Sequence, residues 1–383
     1  MASDRQLLID IFNAAIEAVS GEQAVIKACQ SLAIADNTPD VIIAVGKAAS
    51  SMAMGALAVF GPVKAVVITK YGHGDPLLMA NSLVSLIEAG HPIPDENSLK
   101  AGKILFETVA AMAENSRLLM LVSGGASALA ELLPDKFTLA RWQALTDEMI
   151  STGLTIAQIN QRRKQSSLIK DGRLLAHFSG AEVVTLAISD VQGDDLSVIG
   201  SGLGDVARLS DKPIKAKTAL IATNQIARHQ AQNAAHEAGF DVVVNEESLY
   251  GDVFALSTHI GQRLRTGDRG VYIFGGEPTI VLPSNPGCGG RNQSLALALA
   301  KEIAGLDNIT ILVAGTDGTD GPGNAAGGIV DGCTFAKGAF KGLNPQLALE
   351  RADAGRYLTQ VEDIFITGPT GTNVMDLLIA VVW

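Results

Sequence analysis

The sequence predicts an α/β fold with largely parallel, doubly wound sheets. Short apolar runs recur from DVIIAVGK at 40–47 to DIFITGPTG at 363–371, each ending in glycine or a small polar residue and followed by a helix-like segment. The runs are continuous rather than alternating, as strands are when helices cover both faces of a sheet. With 383 residues, 47% of them hydrophobic, the chain can build two cores at about 100–200 residues per domain.

The elements follow in order. Leu8, Ile11, Phe12, Ala15, Ile16 and Val19 share one face at helical period, so the chain opens with an amphipathic helix. Strands are predicted at DVIIAVGK, AVVITKYGHG, LLMLVSGG and VVTLAISD, and then at ALIATN, VYIFGGEP, ITILVAGTDG and DIFITGPTG. AQIN at 157–160 with the following QRRKQSSLIKDGRLL reads as a helix with a cationic face. The polar, proline-containing segment ARLSDKPIKAKT at 207–218 marks a boundary, giving domains 1–213 and 214–383.

Net charge is -11, which argues against nucleic acid or an anionic membrane as the main partner. Cys29, Cys288 and Cys333 are widely spaced and form no C-x-x-C pair, so neither a disulfide framework nor a thiolate metal site is expected. Asp4, Asp10 and Glu17 interrupt any signal-like apolar region, and no apolar run reaches the roughly 18 residues of a membrane span. A cytoplasmic protein is expected.

The chemistry is expected at the carboxyl ends of the strands, where ligands of open α/β sheets bind. Lys47 follows Gly46 and opens a helix, against the helix dipole, as an ammonium aimed at phosphate or carboxylate would. Ser123, Gly124, Gly125, Ala126 and Ser127 form a loop whose backbone N–H groups can surround an anion. Asp190 stands at a strand end, placed to hold Mg²⁺ or to accept a hydroxyl proton; a turn aspartate bonding its own backbone is the plainer alternative. Glu277 follows a strand and two glycines, and Arg291 starts a helix, again against the dipole, which a bidentate anion contact would explain. Arg163 and Lys164 are either a solvated face or a contact for an anionic substrate. Gly315, Asp317 and Gly318 open the glycine-rich loop GTDGTDGPGNAAGG, expected beside phosphate or Mg²⁺. A G-x-G-x-x-A match at Gly321, Gly323 and Ala326 lies too far beyond its strand for a dinucleotide fingerprint. Lysine, arginine, strand-end carboxylates and glycine turns together are the parts phosphoryl transfer uses.

These motifs resemble the class II glycerate kinases, whose C-terminal half is a MOFRL domain. The likeness is carried by VGKAA at 45–49, GHPIPDE at 90–96, VSGGASAL at 122–129 and SDVQGDDLSVIGSG at 189–202. GGEPT at 275–279, GGRNQ at 289–293, AGTDGTDGPGNAAGG at 314–328 and TGPTGTNVMD at 367–376 continue it in family order. The resemblance implies two Rossmann-like three-layer domains with largely parallel sheets and an interdomain cleft. It implies ATP-dependent phosphorylation of D-glycerate at the 2-hydroxyl, with ATP and Mg²⁺ as cofactors and a homodimer as the expected assembly. Lys47, Asp190 and Arg291 match its catalytic positions; Gly46, Ser123, Gly124, Gly125, Ser127, Glu277, Gly315, Asp317 and Gly318 are expected at the nucleotide. Arg163 and Lys164 are expected at the substrate, and Asp190 and Asp317 at the metal. The chain departs from the family pattern at Ala126, at SGLG (201–204) and at Gln165–Ser167, near the presumed acceptor side. Two other readings are a reductase of hydroxypyruvate or tartronate semialdehyde, which would bind NAD(P)H, and a nucleotide-sensing regulator without turnover.

Overall fold

A computed structural model describes residues 2–135, 137–151, 161–162 and 164–383, and the chain divides into two units. The first holds the described residues of Val19–Thr223 together with Gly371–Asn373. The second holds the chain up to Ala18, Asn224–Thr370 and Val374–Trp383. The boundary expected at 213/214 thus moves to 223/224, because the strand Lys215–Ala222 pairs with Glu182–Ile188 and completes the first sheet.

The first unit is built on six strands: β1 (Val41–Val45), β2 (Lys64–Lys70), β3 (Val84–Ala89), β4 (Arg117–Val122), β5 (Glu182–Ile188) and β6 (Lys215–Ala222). They lie in the order β3-β2-β1-β4-β5-β6 and every pairing is parallel, as expected. Apolar residues dominate β1 (VIIAV), β4 (RLLMLV) and β5 (EVVTLAI), and nearly all of these side chains are buried. Helices α2 (Gly21–Ser31), α3 (Ala49–Phe60) and α5 (Glu96–Ala110; α4 is the single turn Pro76–Met79) pack on the sheet, and α5 starts at a capping box formed by Asp95 and Ser98.

The second unit corrects an expectation. Its sheet contains β7 (Val242–Glu247), β9 (Gly270–Gly276), β11 (Ile309–Gly315), β12 (Gly327–Asp331), β13 (Ile364–Phe365) and β14 (Asp376–Val382). The order is β13-β12-β11-β14-β9-β7, and only β7 with β9 is parallel; the other pairings are antiparallel. A separate two-residue ladder joins β8 (Gly251–Asp252) and β10 (Pro278–Thr279). The direction was misjudged because β9 and β11 are fully buried, and continuous apolar runs report burial on both faces, not strand direction; β14, between them in the sheet, was not among the predicted strands.

The amphipathic helix at the start of the chain, α1 (Ala2–Ala18), belongs to this second unit, where it packs on the helix Asn224–Glu237 and on β11 and β14. Leu8, Ile11, Phe12 and Ala15 are buried, as their spacing predicts. Arg5 pins the helix by pairing with Asp331 (2.5 Å) and Asp363 (2.7 Å), and the Phe12 ring meets Phe365 edge-on at 5.4 Å. Among the described residues no helix is long and apolar enough to cross a membrane.

Candidate functional site

In the parallel sheet the strand order reverses between β1 and β4, so the connections leaving those strands depart to opposite faces and leave a crevice at their carboxyl ends. The loops after β1 and β4 meet there. Ser123 N donates to Val45 O (3.0 Å), Lys47 N to Gly124 O (2.9 Å) and Ala48 N to Ser123 Oγ (3.1 Å). Gly46 adopts φ +134°, and a β-carbon on it would overlap Ser123, so only glycine allows the two loops to join.

Four side chains gather on these glycines. Asp190 lies two residues past β5, and its Oδ2 accepts a hydrogen bond from Asn373 Nδ2 at 3.1 Å. A β-carbon on Gly124 would overlap both of those atoms. Around Gly125, at φ +83°, a β-carbon would stand 3.2 Å from Lys47 Cγ and 3.1 Å from the His91 ring. Lys47, His91, Asp190 and Asn373 are therefore grouped around a strip of bare backbone. Sequence reasoning assigned no role to His91 or Asn373, although GHPIPDE and TGPTGTNVMD had pointed to their neighbourhoods. Ser127 Oγ bonds Ser201 Oγ (2.7 Å), and the Ala126 methyl faces Gly200, so the two departures from the family pattern at Ala126 and SGLG are packed together. Lys164 is half-buried and lies near Asp171 and Asp195, whose carboxyls it helps hold below the usual range, after Arg208 and the Ser197 backbone respectively. Arg163 and positions 157–160 of the helix expected there lie outside the described residues; the rest of that expected helix is interrupted, helical at 161–162 and 164–166, non-helical at 167–172 and helical again over Arg173–Ala176.

The mixed sheet builds a different cluster. Asp376 opens β14 and is flanked by Gly276 at the end of β9 and Gly315 at the end of β11. Arg291, first residue of the helix Arg291–Glu302, donates Nε to Asp376 Oδ2 (2.6 Å) and Nη2 to Oδ1 (3.2 Å), and pairs through Nη1 with Glu277 (2.8 Å). The bidentate anion contact expected of this arginine is thus made to the chain's own Asp376. Burial alone would lower the guanidinium pKa, but Asp376 and Glu277 outweigh it and the pKa is raised, so Arg291 stays charged.

Asp320 caps that same helix: its carboxylate accepts from Asn292 N (3.1 Å) and Gln293 N (2.8 Å). Burial pushes its carboxyl up to about 7, although the two backbone N–H groups and Arg291 favour the anion. Asp317 accepts from Thr319 N and Oγ1, both at 2.9 Å. Gly318, at φ +81°, packs its bare backbone on Gly368 O. Gly321, Gly323 and Ala326 fall between antiparallel β11 and β12, with no helix following, so they form no dinucleotide-binding turn and these residues do not fit NAD(P)H.

Among the described residues no three histidine, cysteine or acidic side chains form a group that could hold a metal. The Asp190 carboxylate beside the bare backbone of Gly124 is a donor of the kind that fits Mg²⁺, which binds one or two carboxylates and otherwise keeps water and substrate phosphates. Next to Asn373, Thr372 is 2% exposed and its hydroxyl has no hydrogen-bond partner among the described residues. An unmet buried hydroxyl costs about 1–3 kcal/mol, and such groups call for an explanation such as a bound polar ligand.

Residues 7–234 match the family described as a domain of unknown function, DUF4147, and residues 270–376 match the MOFRL family. A protein of Thermotoga maritima named D-glycerate 2-kinase is 36% identical, the match covering 99% of this chain and 98% of that one. The crystal structure of a glycerate kinase from Thermotoga maritima superposes with a TM-score of 0.85 at 35% identity, covering all of both chains. An Agrobacterium vitis protein named putative hydroxypyruvate reductase is 31% identical over 98% of this chain and 94% of its own.

Proposed function

The chain belongs to the family of glycerate kinases that join a DUF4147 domain to a MOFRL domain, and from that premise we propose that it transfers the terminal phosphoryl group of ATP to the 2-hydroxyl of D-glycerate. The observation that carries the reading is the strand-end cluster of the parallel sheet, where Lys47, Asp190 and Asn373 surround bare glycine backbone at the point of strand-order reversal.

In this reading the glycine loops after β1 and β4 and the Lys47 ammonium hold phosphate oxygens and neutralise their charge. Asp190 orients the acceptor hydroxyl and takes its proton as the oxygen–phosphorus bond forms; the bond to the bridging oxygen breaks and ADP leaves. Mg²⁺, when bound, adds charge neutralisation at the phosphates; Asp190 is the carboxylate offered to it, with Asp317 the second candidate. Arg291, kept charged by Asp376 and Glu277, is the guanidinium offered to the nucleotide in the mixed-sheet unit. A cytoplasmic homodimer is the proposed setting. The reductase name of the Agrobacterium relative finds no support in the loop between β11 and β12.

The test is ³¹P NMR of the protein with MgATP and D-glycerate. ADP with the resonance of 2-phosphoglycerate is expected. A 3-phosphoglycerate resonance overturns the position, and ATP left intact overturns the reaction.

A further inference from the structure

We propose that Asn373 is a positioning residue for Asp190, fixing the carboxylate in the orientation that the phosphoryl transfer above requires; the inference rests on that reading. Asp190 lies beyond the end of β5, and two rotatable bonds set the direction of its carboxylate, so the side-chain contacts it makes decide where it points. Asn373 supplies one such contact through Nδ2 to Oδ2 at 3.1 Å, and is itself 7% exposed. The backbone of Gly124 lies against both atoms and closes that side of the hydrogen bond.

The donor comes from near the other end of the chain, yet it is anchored in this unit. Gly371 O accepts from Gly21 N at the start of α2 (3.1 Å), and Gly371, at φ +72°, stands against Ser51 of α3. The tripeptide Gly371–Asn373 is counted with the parallel-sheet unit for this reason. An amide N–H is also a chemically suitable donor to a carboxylate.

A double-mutant cycle tests the proposal, with kcat and KM measured for wild type, Asn373→Ala, Asp190→Ala and the double variant, and folding checked by urea denaturation. Asn373→Ala is expected to lower kcat on the order of 10- to 100-fold, as loss of an orienting partner does, with the KM for MgATP little changed. In the Asp190→Ala background the same change is expected to cost less than about 2-fold, since its effect passes through the missing carboxylate. Asn373→Asp, which sets a like charge against Asp190, is expected to be worse than Asn373→Ala. If Asn373→Ala fails to fold, Asn373→Leu, which keeps the bulk and removes the donor, carries the same comparison. Losses that multiply in the double variant, or an unchanged kcat in Asn373→Ala, overturn the positioning role while leaving the reaction standing. A wild type without turnover on D-glycerate overturns the reaction and this inference with it.

Discussion

Lys47 and Arg291 present the same oddity in sequence, a cation where a helix begins, and the two units resolve it differently. In the parallel-sheet unit Lys47 lies over the bare backbone of Gly125 beside His91, at the end of two glycine loops. In the mixed-sheet unit Arg291 is clasped by Asp376 and Glu277 on a helix that Asp320 caps. A cation at a helix start therefore announces that an anion is needed, without saying whether the protein or a ligand provides it. The first arrangement is built around glycine main chain that side chains approach closely, and the second is an ion network that also holds the unit together.

The largest expected effect sharpens that contrast on the functional side. Lys47→Ala should lower kcat by on the order of 10²–10³-fold, the scale of losing one group that stabilises developing charge. Its unfolding free energy by urea should stay within about 0.5 kcal/mol of wild type. A large stability loss would make Lys47 a structural cation like Arg291.

Arg291→Ala should do the reverse in the stability assay. It strips the charge partner from Asp376, which is 2% exposed, and breaking a fully buried pair this way costs about 3–5 kcal/mol. Solvent reaches about a third of the Arg291 side chain, so a loss at or below the lower end of that range is expected. Wild-type stability in this variant would break the comparison, because the clasp of Asp376 and Glu277 on Arg291 would then contribute nothing to the fold.

A last prediction concerns pH. The Asp320 carboxyl titrates near 7 in the folded chain against 3.8 as its ordinary value, so between those values the folded state binds a proton that the unfolded state has released. Its contribution is complete below about 3.8 and is lost as pH rises to about 7. Asp320→Asn should flatten the fall in unfolding free energy between pH 4.5 and pH 7.5. Equal slopes in the two proteins would remove Asp320 as the source of the dependence.

Much of the parallel-sheet unit was legible because local rules and tertiary structure agree there. Continuous apolar runs became buried parallel strands, and the glycines that followed them became the strand-end loops that place Lys47 and Asp190. In the mixed-sheet unit the same rule misled. Ligand groups were sought at carboxyl ends of strands, but antiparallel β14 brings its amino end, with Asp376, level with the carboxyl ends of β9 and β11. Asp376 was therefore passed over, although TGPTGTNVMD ends on it.

The sequence by itself determined the strands β1, β2, β4, β5, β6, β9, β11 and β13, which face of α1 is buried and which loops need glycine, because side-chain periodicity and backbone sterics are local properties; β3, β7, β12 and β14 came only with the structure. Tertiary structure alone decided the direction of the second sheet, the seating of α1 on the second core and the pairing of Asn373 with Asp190, 183 positions apart. Those outcomes depend on which distant surfaces bury one another, and burial is sensitive to apolar area and shape rather than to separation along the chain.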